Sequence, residues 1–112
     1  MLEQLAEKWI RKRVSENCYD VSKHAHERMA ERQIDIEEVI ECILQGQTIE
    51  FQLDKETNDI KVIFQEATSE NPEIYVIVVA LDTPLIVTAC RTIDEVWECV
   101  DGVLKRRRDY SR

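Results

Sequence analysis

The sequence predicts an α+β fold: N-terminal helices packed on a four-stranded antiparallel meander sheet, with a C-terminal helix. Three observations carry this. Apolar residues recur at helical spacing from Leu2 to Leu44, then alternate singly from Thr48 onward. The connections between the later apolar runs are short, which demands antiparallel neighbours. A capping signal at Thr92 then reopens the helical period. The 112 residues suffice for one core and show no linker, repeat or low-complexity stretch, so 1–112 is expected to be a single domain.

Each element has a local reason. Residues 2–14 place Leu2, Leu5, Ala6, Trp9, Ile10 and Val14 on one stripe, with Arg11, Lys12 and Arg13 near the negative end of the helix dipole. Asn17 to Asp20 reads as a break. Ser22 can cap a second helix running to about Arg32, whose apolar strip is Ala25 and Met29. Asp35 and Glu38 form a capping box for a third helix, with Ile34 stapled onto Val39. Its buried stripe is Ile36, Val39, Ile40, Ile43 and Leu44, and Gly46 is expected to stop it in a left-handed conformation.

The period then shortens to two. Ile49, Phe51 and Leu53 alternate with polar residues, and Ile60, Val62 and Phe64 follow after a polar turn. Ile74 to Leu81 is almost wholly apolar and predicts a central strand covered on both faces. Asp82-Thr83-Pro84 turns into a fourth strand, Leu85 to Cys90. Thr92 and Glu95 predict a last helix with Ile93, Val96, Trp97 and Val100 inward, ending at Lys105 to Arg108. Trp9 and Trp97 are expected in the core.

Charge narrows the function classes. The net charge is −8, but residues 1–33 carry +1, residues 34–103 carry −13 and residues 104–112 carry +4. Strong nonspecific nucleic-acid binding is therefore not expected, whereas one small basic face remains available to an anion. No apolar run approaches the roughly 20 residues that span a bilayer, and no signal peptide is seen, so no membrane association is expected.

Cys18, Cys42, Cys90 and Cys99 contain no C-x-x-C pair and read as reduced thiols of a cytoplasmic protein. Cys18 with His24 and His26 lacks metal-site spacing; no metal and no cofactor are expected. With two glycines in the chain, a glycine-rich phosphate loop is excluded.

The remaining chemistry lies in Ser22 to Arg32. His24, Arg28 and Arg32 stand at i, i+4 and i+8, hence on one helical face. A histidine able to move protons beside fixed guanidinium charges is what cleavage of RNA by its own 2′-hydroxyl needs. Thr88 and Arg91 of the fourth strand could line the same cleft if the helix packs across the sheet. The bland alternative is a solvated helix face laced by pairs such as Arg28 with Glu31.

The run His24-Ala25-x-x-Arg28-Met29-x-x-Arg32-x-Ile34, with its acidic helix start and the strand Ile86 to Arg91, resembles the bacterial family called domain of unknown function 4258. The similarity covers about residues 20–98. Members are often grouped with small RelE-like and MqsR-like toxins, ribonucleases silenced by compact antitoxins. The resemblance implies a helix-plus-antiparallel-sheet fold and maps the site to His24, Arg28, Arg32, Thr88 and Arg91. The chain departs from the family pattern in having no His within Ile74 to Leu81 and Ala89 at the closing strand's aromatic position.

Two functions follow as expectations. One is a toxin-like, metal-independent endoribonuclease, reaching RNA through a local basic face and held by a small antitoxin-like protein. The other is a non-catalytic protein-binding module on the same fold. A homodimer, through sheet edges or the first helix, is compatible with both.

Overall fold

Capping and apolar spacing set the helices, and the short connections set the sheet. The computed structural model describes residues 2–55, 57–67, 72–91, 97–100 and 103–106. Helix α1 spans Leu2–Ser15, strand β1 Asp20–Val21, helix α2 Lys23–Arg32 and helix α3 Ile36–Gln45. Strands β2 (Gln47–Leu53), β3 (Ile60–Gln65), β4 (Ile74–Val79) and β5 (Leu85–Arg91) follow, then β6 (Trp97–Val100) and β7 (Val103–Arg106).

The helix ends obey local chemistry. The Asp35 carboxylate accepts from Glu38 N while the Glu38 side chain accepts from Asp35 N, the reciprocal cap expected from sequence. Ile34 and Val39 are both buried at that entry, as a staple requires. Helix α2 starts on Ser22 and ends with Gln33 in the left-handed region, φ 57°, its turn closed by Ile34 N donating to Met29 O.

Gly46 ends α3 differently from expectation. Its backbone is extended, φ −81°, so no left-handed turn explains the residue. A Cβ there would lie 2.0 Å from Gln65 O and 2.2 Å from Cys42 O. Glycine is required because the chain passes between two carbonyls.

Strands β2 to β5 form the expected antiparallel meander, but the sheet has five strands, in the order β1-β5-β4-β3-β2. The two residues of β1 pair in parallel with Leu85 and Ile86. Too short to carry a period, this strand left no apolar pattern to find. Strand β4 is central, as expected from its apolar run. Val62, Phe64, Val76, Val78, Ile86 and Ala89 join Ile10, Val14, Met29 and Ile43 in the core. Helices α1 and α3 cover that face, and α2 lies against β5.

Burial in α1 is narrower than its composition suggests. Ala6, Ile10 and Val14, spaced by four, are buried, whereas Leu2, Leu5 and Trp9 are exposed. Trp9 therefore lies outside the core. Its Nε1 donates to Leu81 O at 2.8 Å and its ring carries the Arg13 guanidinium at 5.1 Å. An outer helix touches its layer along one line, and side chains flanking that line remain in solvent.

The C-terminal helix is not formed where it was expected to bury Trp97 and Val100. Those residues belong to the antiparallel pair β6–β7, registered Val100 with Val103. Two residues, Asp101-Gly102, connect them, and Asp-Gly is a strong hairpin dipeptide. That signal outweighs the helical spacing. Thr92, Ile93, Glu95 and Val96 lie outside the described residues. The pair also serves the sheet's second face. Ile63 and Gln65 alternate away from Val62 and Phe64, yet both are buried. There Leu104, itself buried, donates its N–H to Gln65 Oε1 at 2.7 Å.

Candidate functional site

Ser22 fixes where α2 begins relative to the sheet. Its Oγ accepts from Ala25 N at 3.0 Å and reaches Val87 O at 3.3 Å, while Ser22 N donates to Ile86 O. Ala25 and Met29 then anchor the helix in the core. With those two positions inward, His24, Arg28 and Arg32 are left along one flank, one turn apart.

Strand β5 meets this flank through a bulge. Ile77 pairs with Thr88 and Val78 with Ile86, so Val87 is an extra residue. The extra residue lets Ile86 and Ala89, three apart, both enter the core. Thr88 and Cys90 consequently lie on the other face from Ala89, half-buried.

The predicted residues meet in three groups. Arg28 Nε donates to His24 Nε2 at 3.4 Å, while Arg28 Nη1 pairs with Glu31 at 2.9 Å. Arg32 Nη1 donates to Cys90 Sγ at 3.4 Å, and Thr88 Oγ1 lies 3.6 Å from the same sulfur. Arg91 Nε and Nη2 donate to Arg32 O at 3.3 and 3.2 Å, and Nη2 also to Gln33 O. Thr88 and Arg32 thus approach one another through a thiol. Arg91 lies at the end of the seam, where its guanidinium is engaged by the last carbonyls of α2.

Cys90 is the residue that sequence reasoning passed over. Its alternation with Thr88 puts both on one strand face, and that spacing was the available signal. Cys18, Cys42 and Cys90 are free thiols. Cys42 is a buried core residue whose Sγ lies 3.5 Å from Phe64 O, and its thiol is pushed up to about 12. Burial is the main cause, reinforced by the negative charge of Glu66.

The seam is an open surface. His24 is exposed, Arg28 and Arg32 half-exposed. The described cavities have other linings. One of about 490 Å³ is formed by Leu2, Phe51, Leu53 and Ile60, and one of about 610 Å³ by Ile40, Leu44, Glu37 and Glu41 with their neighbours. Among the described residues, no group of three or more His, Cys, Asp or Glu is placed to hold a metal ion. No described helix is long and apolar enough to cross a membrane.

Chemically, the face offers an imidazole nitrogen that accepts from one guanidinium, with a second guanidinium one turn further along the helix. The bond from Arg28 uses the Nε2 lone pair of His24, so it exists only while that nitrogen carries no proton. The two guanidinium groups are fixed positive forks suited to phosphate oxygens.

No curated protein and no solved structure matches the chain. Residues 21–91, from the end of β1 to the end of β5, match the family described as Domain of unknown function (DUF4258). The match takes in α2, the bulged strand and every residue of the seam, and the chain belongs to that family.

Proposed function

We propose that the protein is a toxin-like endoribonuclease of the RelE/MqsR kind, cytoplasmic, acting on RNA by general acid/base catalysis at the α2–β5 seam. The observation that carries this reading is the contact of His24 Nε2 with Arg28 Nε, with Arg32 one turn further on. His24 takes the proton of a ribose 2′-hydroxyl, whose oxygen attacks the adjacent phosphorus. The 5′-oxygen leaves with a proton from water, giving a 2′,3′-cyclic phosphate and a 5′-hydroxyl. Arg28 and Arg32 neutralise charge on the phosphorane, and Thr88 positions Arg32 through Cys90. Arg91 holds the helix that carries the other groups instead of gripping the phosphate. Substrate binding requires Arg28 to exchange His24 and Glu31 for phosphate oxygens, which suits weak, salt-sensitive affinity.

Incubation of single-stranded RNA with the purified protein in excess chelator tests this. Cyclic-phosphate ends are expected from the wild type, with cleavage reduced about 100-fold or more in His24→Ala. Intact RNA with the wild type, or equal cleavage by both proteins, overturns it.

A second reading is favoured by the Arg28–Glu31 ion pair and the engagement of Arg91. The first partly neutralises the flank and the second ties up a guanidinium on backbone carbonyls, as in a non-catalytic module that binds a small antitoxin-like protein. A partner that co-purifies from the native host, together with absent cleavage, selects this reading.

A further inference from the structure

The outward surface of the helical layer divides into two charges. On α1, Lys8 and Lys12 stand one turn apart on the side opposite Ala6, Ile10 and Val14, next to exposed Leu5. On α3, Glu37 and Glu41 stand one turn apart opposite the buried Val39 and Ile43. Beside these carboxylates Ile40 and Leu44 floor a shallow groove of about 610 Å³. Helix α3 contains three glutamates and no cation.

Three of these four charges find no partner among the described residues. Lys12 pairs with Glu16 at the end of α1. Lys8, Glu37 and Glu41 make no ion pair or side-chain hydrogen bond with any described residue. Like charges at i, i+4 also weaken a helix by a few tenths of a kcal/mol each. Helices α1 and α3 pack side by side on one face of the sheet, so the positive and negative halves adjoin.

The geometry points to a second copy of this chain as the occupant of this surface. A patch with one positive and one negative half is self-complementary about a twofold axis. Such an axis lays α1 of one protomer over α3 of its partner, and the reverse. Lys8 and Lys12, spaced by four, face Glu37 and Glu41 at the same spacing in an antiparallel helix crossing. Leu5 enters the Ile40–Leu44 groove and supplies apolar contact. Exposed ion pairs contribute little each, so the dimer is weak and loosens with salt, while the charge pattern sets its orientation. The inference does not depend on the ribonuclease reading, since the α2–β5 seam lies elsewhere.

Charge reversal supplies the test, read by sedimentation equilibrium over a wide concentration range. The wild type should shift from the 13.2 kDa monomer toward twice that mass as concentration rises. Lys8→Glu with Lys12→Glu, and separately Glu37→Lys with Glu41→Lys, should each weaken dimerisation about tenfold or more. Mixing the two variants should restore association as a one-to-one pair, because each then meets its complement. Circular dichroism checks that each variant is folded. A wild type that remains monomeric overturns the proposal. So does a dimer indifferent to both reversals, which would seat the interface on another surface, such as that of Leu2 and Leu53.

Discussion

The guanidinium of Arg91 closes the end of α2 by donating two hydrogen bonds to Arg32 O, at 3.3 and 3.2 Å. The last carbonyls of a helix lack partners within it, and a cation there also meets the negative end of the dipole. The last residue of the sheet thus fixes the helix that carries His24 and Arg28.

Arg91→Ala should therefore act on stability before chemistry. A loss of about 1 kcal/mol is expected, since the bonds are charge-assisted but exposed. Urea unfolding measures the loss. Amide exchange should quicken at Gln33 and Ile34, whose amides donate to Met29 and Ala30 in the turn that Arg91 covers. Arg91→Lys should recover only part of it, because an ammonium cannot reproduce the fork.

Gly46→Ala should cost about 3 kcal/mol or more. The added methyl would meet the Gln65 and Cys42 carbonyls at 2.0 and 2.2 Å, and both belong to regular backbone that cannot withdraw cheaply. A lower urea midpoint with unchanged slope is the expected record.

Gln65→Leu should loosen the β6–β7 pair. Leu104 N–H would lose its acceptor at a buried position, costing about 1–3 kcal/mol. Hydrogen exchange at Leu104 should accelerate more than exchange in β3 or β4, which keep their own ladder bonds.

Cys42 gives the chain an alkaline sensitivity with a definite sign. Its thiol ionises near 12 in the folded protein against an ordinary 9.0, so the native state holds a proton that the unfolded state releases. Stability from this residue is fully present below about pH 9 and is lost as pH rises toward 12. Cys42→Ala should show a shallower fall in stability over that window than wild type. At neutral pH, Cys42 should resist alkylation in the folded protein.

Local rules made much of this fold readable, and long-range contacts account for what escaped. Asp35 and Glu38 announced α3 because a capping box is a contact three residues long. Phe51 to Phe64 announced two strands because alternation is local as well. Strand β1 escaped because its pairing with Leu85 is a relationship across 65 residues, carried by the backbone of two residues. The β6–β7 hairpin escaped because Trp97 and Val100 also fit a helical spacing. Gly46 was read correctly as a stop but for the wrong reason, since Gln65 is distant in sequence.

The site divides in the same way. The common flank of His24, Arg28 and Arg32 follows from helical periodicity alone. That Arg32 would meet Cys90, or Arg91 the end of α2, depended on a bulge at Val87 that sequence does not mark. Arg11 repeats the pattern. It donates to Leu44 O and Gly46 O from another helix, so α2 and α3 both end on an arginine supplied from elsewhere.

The family match begins at Val21 and ends at Arg91, whereas the packing respects neither limit. Ile10 and Val14 of α1 belong to the core cluster, and Leu104 seals Gln65 from the far side. A fragment cut to 21–91 would keep every residue of the seam yet expose Phe64 and Val62 on one face and Ile63 on the other. The segment that defines kinship thus contains the whole α2–β5 seam, while part of its cohesion is supplied by the flanks. Family members with unlike ends should therefore differ in solubility and melting temperature more than in the arrangement of α2 against β5.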